Sequence, residues 1–199
     1  MEVPLLILKY LFYIVSFLVA FYFILPVILF ISYFLTGGHP KRNPVTRYKK
    51  LNDHDYDFAA IITAHQDTRF IAPLVDSFMK QSYGGFKLYI VADDCDIRGM
   101  AFADERVILL SPPQALHSKI KSIQFAIDHF KYDPDTLIIF DSDNLVHPDY
   151  LKNLNQYFQR GFKVVQTHML SKNADSTYAK LDSLGHIYYI FYERIVKMQ

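Results

Sequence analysis

Residues 137–144 read LIIFDSDN, a short apolar run that stops on Asp141 and Asp143 with only Ser142 between them. The run has the length and β-branched content of a buried strand. In an extended chain, residues two apart leave on the same side, so the two carboxylates would share one face at the strand tip. Like charges held that close resist joint ionisation unless a cation or a shared proton relieves them. Mg2+ and Mn2+ take oxygen ligands and keep several waters, so one or two carboxylates plus a diphosphate complete such a shell. Asp and Asn also make turns and caps, which gives Asp143-Asn144 a second reading as a turn ahead of a helix near Pro148.

Outward from this stretch the chain alternates. FAAIITAH (58–65) is an apolar run, followed by a helix-like FIAPLVDSFMKQSY (70–83) that the sequence stops at Gly84-Gly85. KLYIVAD (87–93) and RVILLSP (106–112) are two further runs, the latter broken by Pro112 and Pro113. LHSKIKSIQFAIDHF (116–130) places Ile120, Ile123, Ala126, Ile127 and Phe130 at helical spacing. PDYLKNLNQYFQRG (148–161) reads as a helix with Pro148 in its first turn and Gly161 as its stop. FKVVQTH (162–168) is a fifth run, and a last helix starts at Ser176. Apolar runs alternating with helices predict a mostly parallel α/β sheet covered on both faces.

In such sheets ligands sit at the carboxyl ends of the strands. Here the first run ends on AHQD, the second on ADDCD and the fourth on DSDN. A carboxylate such as Asp93 or Asp94 is a good acceptor for a nucleobase imide N–H, and Lys119 can meet a phosphate as a point charge. His65 also stands at a strand end. The other histidines, among them His117, His129, His147, His168 and His186, lack the spacing of a zinc site. Neither GxGxxG nor GxxxxGK[ST] occurs, which excludes the usual dinucleotide and P-loop phosphate cradles. Phosphate charge would then fall to metal and side chains.

The net charge of +1 leaves no global field for nucleic acid. Cys95 is the only cysteine, so no intrachain disulfide forms; it reads as a small packed residue. Tyr10 to Leu35 carry no charge, and the run is long enough to span a bilayer, Pro26 included. It is too long for a signal-peptide core, and TGGHP is a poor cleavage site. Lys41, Arg42, Arg47, Lys49 and Lys50 follow it, which places this flank and the rest of the chain on the cytoplasmic side of the cell membrane. The organisation expected is a single-pass anchor over residues 1–36, a basic juxtamembrane linker over 37–57 and a globular domain over 58–199.

IITAHQD, LYIVADDCD, LHSKIKSIQFAI, LIIFDSDNLVHPDYL and VVQTHMLSKN, in that order behind a membrane anchor, resemble a membrane-bound family 2 glycosyltransferase over roughly residues 58–175. The resemblance implies a GT-A nucleotide-sugar fold, a UDP-sugar donor with Mg2+ or Mn2+, and a polysaccharide or lipid acceptor. By position, Asp141, Ser142 and Asp143 match the DxD motif, with Asp143 as the direct metal ligand and Asp141 beside it. Asp93 and Asp94 match the acidic element that reads the base. His65, Gln66 and Asp67 fall where the family has a Tyr-Asn-Glu-like stretch, Lys119 matches a lysine near the nucleotide, and Gln166 falls on the sugar or acceptor side. The family's general base lies in an ED-type motif, followed in processive members by QxxRW. The chain reaches FYERIVKMQ, with Glu193, without either wording. It therefore reads as the donor-binding half of a longer enzyme, with a catalytically inactive sugar-nucleotide-binding domain as the alternative. A haloacid dehalogenase-type phosphohydrolase is a lesser rival, since its DxD ends the first strand and continues with Thr, whereas Asn144 follows here.

Overall fold

The computed structural model describes residues 2–35, 52–167 and 169–192. Their contacts divide the chain into two compact units, Tyr48–Val165 and Met1–Arg47 with Gln166–Gln199. The basic cluster between Lys41 and Lys50, His168 and Glu193 lie outside the described residues.

In the first unit the elements run β1 (Phe58–His65), α2 (Ile71–Met79), β2 (Phe86–Asp93), β3 (Val107–Leu110), α3 (Lys119–Asp128), β4 (Thr136–Asp141) and α4 (Tyr150–Gln159), with α1 (Glu2–Leu35) preceding them in the chain. The strands form one parallel sheet in the order β3-β2-β1-β4. The alternation of side chains across a strand sorts the core into two layers. Phe58, Ala60 and Ile62 of β1, with Leu88 and Ile90 of β2, meet Leu74 and Phe78 of α2 and Leu151 of α4. Ala59 and Ile61, with Tyr89 and Val91, meet Ala126 of α3. Three layers with helices on both faces are the α/β arrangement expected of the sequence.

Several details differ from the sequence reading. α2 ends at Met79, before the two glycines. Gly85 answers to close approach instead, since a Cβ there would lie 2.9 Å from Cε1 of Tyr83. The inner face of α3 is centred on Ser122 and Ala126, and Ile120 is 79% exposed. Ser118 caps this helix, accepting from the Lys121 N–H, and starts it at Lys119. The fifth apolar run forms no strand among the described residues. Lys163, Val164 and Val165 instead flank a cavity of about 320 Å³ beside β4, shared with Thr136 and Ile138. Two valines do not make a strand unless their backbone finds a ladder partner.

Buried polar groups on α4 fix the approach to β1. Asn155 accepts from the backbone N–H of Tyr56 at 3.0 Å and donates to Asp55, while Gln159 donates to the carbonyl of His54. Asp135, just before β4, accepts from the Asp57 N–H and from His54, both at 2.9 Å. The central strand β1 and its outer neighbour β4 are thus tied together at their amino ends, which holds the opposite ends in register.

In the second unit α1 is 34 residues long with Pro26 inside it. Its apolar stretch Leu6–Leu35 has the length and composition to cross a membrane. At 1.5 Å per residue its 30 residues span about 45 Å, more than the roughly 30 Å hydrocarbon core. The last helix, α5 (Thr177–Ile190), is capped by Ser176, which accepts from the Ala179 N–H at 3.1 Å. Just beyond it, Phe191 packs edge-on against Phe30 and Tyr33 of α1.

Candidate functional site

β1 is the central strand of the site, with β2 and β4 on either side. The register sets His65 beside Asp93 and Thr63 beside Asp141, so the polar tips of all three strands open on one edge of the sheet. Strands stand about 4.8 Å apart, which separates the β2 and β4 tips by about 10 Å. That width suits an extended ligand lying across the end of β1.

Asp93 is the best-held group of this rim. It is 1% exposed and accepts from the Leu116 N–H at 2.6 Å, the His117 N–H at 3.0 Å and Nδ1 of His65 at 3.0 Å. Burial pushes its carboxyl up, but the two backbone donors and the His65 ring outweigh it and hold Asp93 below the usual carboxylate range. Asp94, next along, is exposed and accepts from Nε2 of Gln66 at 2.8 Å. The ring of His117 stands edge-on to that of His65, with centroids 5.4 Å apart.

Three non-glycine residues here have left-handed backbones: Gln66 (φ 59°), Asp94 (φ 52°) and His117 (φ 49°). Such conformations cost about 1 kcal/mol or more each and persist where the surroundings enforce them. They come from three separate loops, and all adjoin Asp93 or its partners. The left-handed residues of three loops thus gather around one carboxylate.

On the β4 side, Lys119 is ion-paired with Asp141, both partly exposed. Residues 141–144 make a tight turn: the Asn144 N–H donates to the Asp141 carbonyl at 3.1 Å, and the Asn144 side chain accepts from the Asp141 N–H at 3.2 Å. The strand ends at Asp141, so the expected same-side projection of Asp141 and Asp143 does not arise from strand alternation. Ser142 and Asp143 instead occupy the turn's tip, and Nδ2 of Asn144 lies 3.5 Å from Asp143. The turn reading of this stretch is the one the structure shows, and the turn sets Asp143 beside the Asp141 strand end.

The chain after this turn is clamped by the end of α2. Gln81 donates to the His147 carbonyl at 2.7 Å and accepts from the Leu151 N–H at 3.0 Å, and Ser77 accepts from the Val146 N–H. Asp67 is held by Arg69, whose side chain and backbone bring its carboxyl down to about 2. Gln166 falls in the other unit. Cys95 is half-buried, its Sγ 3.3 Å from the Asp93 carbonyl, as a packed residue would be. His117 was not foreseen. Its spacing carries no metal signature, and only the loop geometry ahead of α3 brings it to His65.

Among the described residues, no three His, Cys, Asp or Glu side chains converge to cage a metal by themselves. The oxygens of Asp141 and Asp143 fit a hard divalent cation that shares its shell with water and a ligand's phosphates.

Residues 54–196 match the family described as "Glycosyltransferase like family 2". A mannosyltransferase from Pyrobaculum calidifontis, solved in complex with GDP-Man and Mn2+, aligns over 69% of this chain and 41% of its own, at 13% identity and a TM-score of 0.52. S. aureus TarS 1–349 in complex with UDP-GlcNAc aligns over 59% of this chain and 38% of its own, at 16% identity and a TM-score of 0.47. The chain therefore spans about two fifths of the length of either protein. No curated protein matches the sequence at a significant level. The mannosyltransferase likeness carries the fold, and the family match covers the whole strand-end rim.

Proposed function

The chain belongs to the glycosyltransferase-like family 2, and on that footing we propose that its strand-end rim binds a nucleotide-sugar donor, a UDP-sugar first, for transfer of the sugar to a polysaccharide or lipid acceptor. The observation that carries this reading is the meeting of acids from β2 and β4 on either side of the β1 tip, with three left-handed residues around Asp93. Asp94 offers a charged acceptor to the base. Lys119 lies at the amino end of α3, where a diphosphate would gain both its charge and the helix terminus. Asp141 and Asp143 would hold Mg2+ or Mn2+. The ion, once bound, neutralises the leaving diphosphate as the sugar bond breaks. In the protein alone Lys119 already offsets Asp141, so it is positioned to turn from carboxylate to phosphate when a cation arrives.

Calorimetric titration of UDP tests this directly, with GDP in parallel. UDP affinity is expected to rise roughly ten- to hundredfold on adding Mn2+ or Mg2+, about 1.4–3 kcal/mol. Asp143→Ala should erase that increment while leaving metal-free binding in place. An Asp143→Ala protein that responds fully to metal removes Asp143 as a ligand.

The anchor belongs to the same proposal. α1 crosses the cell membrane once, and the basic residues after it hold the globular unit on the cytoplasmic side. In sealed cells the sequence beyond Leu35 is then expected to resist external protease and to be cut only after permeabilisation. Cleavage in intact cells would reverse the topology.

A further inference from the structure

The rim holds two adjacent aspartates at the end of β2, and the structure divides their work. Asp93 has given three of its roughly four acceptor positions to groups of the protein: one oxygen takes the Leu116 N–H, and the other takes the His117 N–H and faces Nδ1 of His65. Almost none of its surface reaches solvent. A ligand in the cleft meets Asp94 and the His65 ring instead, whose side chain is 45% exposed.

The chemistry of that contact fixes more than a distance. An ionised carboxylate is acceptor-only, so the ring nitrogen facing it must carry the hydrogen. Neutral imidazole has a single N–H, and once Nδ1 holds it Nε2 is a bare lone pair. Nε2 lies across the ring from Nδ1, so anchoring Nδ1 on a buried group turns Nε2 outward to the cleft. His117, edge-on to the same ring and held by its own N–H on Asp93, limits rotation from the side. One buried carboxylate thereby sets the tautomer and the orientation of His65 together with the path of the loop entering α3.

We propose that Asp93 is a positioning residue that does not touch the donor, and that it holds His65 as the Nδ1–H tautomer so that Nε2 accepts a hydrogen bond from an O–H or N–H of the donor's nucleoside. This rests on the donor-binding reading above and assigns the two aspartates different roles within it. The rim then presents two acceptors side by side, the His65 nitrogen and the Asp94 carboxylate. It favours nucleosides that offer hydrogen there, such as a ribose hydroxyl or an imide N–H.

The test uses the full chain in detergent or nanodiscs, with ¹⁵N-labelled histidine, and UDP with diamagnetic MgCl₂ as the probe. Long-range ¹⁵N–¹H spectra are expected to show His65 with a protonated Nδ1 and a bare Nε2, and the Nε2 resonance should move when UDP binds. His65→Phe, at a partly exposed position that leaves the core intact, should weaken UDP by up to about tenfold, the upper worth of one hydrogen bond. His65→Gln, whose amide oxygen can reach the place of Nε2, should recover most of that loss. Asp93→Asn, which turns an amide N–H₂ toward the ring, should convert His65 to the Nε2–H tautomer. A wild-type His65 protonated on Nε2 overturns the proposal. So does UDP binding that leaves the Nε2 signal unmoved and His65→Phe unaffected, an outcome under which donor binding itself still stands. If neither UDP nor GDP produces heat or any spectral change, the donor reading falls and this assignment falls with it.

Discussion

Asp93→Ala is expected to lower the stability of the globular unit by about 2–4 kcal/mol, a large part of what a domain of this size possesses. The substitution removes a buried anion and leaves the Leu116 and His117 N–H groups without an acceptor. Each of these part-buried donors left so costs about 1 kcal/mol, the lower end for an unmet N–H, and the lost packing and loop conformation add to it. The left-handed backbone of His117 loses the contact that enforces it. The pH dependence follows from the lowered carboxyl of Asp93. A group whose folded pKa lies below its unfolded value stabilises above the unfolded value, about 3.9 for Asp, and that contribution disappears as pH falls through the folded value. The stability gap between wild type and Asp93→Asn should therefore hold from pH 5 to about 4 and close as the solution is acidified further. Chemical denaturation across that range measures it. A gap that persists undiminished at the lowest pH would mean that charge is not what Asp93 contributes.

Phe78→Ala is the second large effect, about 3–5 kcal/mol for a fully buried aromatic. Phe78 of α2 meets Phe86 at 5.8 Å between ring centroids and Phe140 at 5.2 Å in an edge-on pair. Phe140 is the residue before Asp141, so this ring seats the strand end that carries the acidic turn. Beside it Ser77 holds the Val146 N–H, and Gln81 grips both sides of His147 and Leu151. Loss of the ring should therefore reach the site as well as the core, lowering metal-dependent UDP affinity even where the protein remains folded. Phe78→Leu, which keeps most of the volume, should cost less than about 1.5 kcal/mol and leave nucleotide binding nearly intact. Equal UDP affinity in Phe78→Ala and wild type would uncouple the core from the rim.

How much of this was readable beforehand depends on the range of the interactions concerned. The strands announced themselves because residues 58–64 and 86–92 are almost wholly buried on both faces, Thr63 and Lys87 being the partly exposed exceptions. Their acidic ends followed from where each run stopped. The division between Asp93 and Asp94 was not readable, because it depends on which of two neighbours meets the N–H groups of residues 116 and 117, more than 20 positions away. The same holds for Asn155 and Gln159, polar residues on a helix whose partners lie about 100 positions earlier. Ile120 fits a helical stripe in the sequence and yet faces outward, since the stripe is set by what the helix packs against rather than by spacing alone. The segment 162–168 misled for a related reason. Valine content raises the tendency to extend, but a ladder needs a second backbone at the right distance.

Among the described residues β4 lies at the margin of the sheet, and its outer covering is thin. Leu137 and Ile139 project toward the α3 side of the sheet, in register with Ala59 and Ile61, and remain 41% and 47% exposed. An edge strand with unshared amides and two greasy side chains is adhesive: it can recruit another strand as readily as a zipper takes its next tooth. Preparations of the globular unit would carry that margin into concentrated solution. Their yield would then be governed by clumping in concentrated solution more than by any failure to fold, and a charged replacement at Ile139, pointing off the sheet, is the natural way to blunt it.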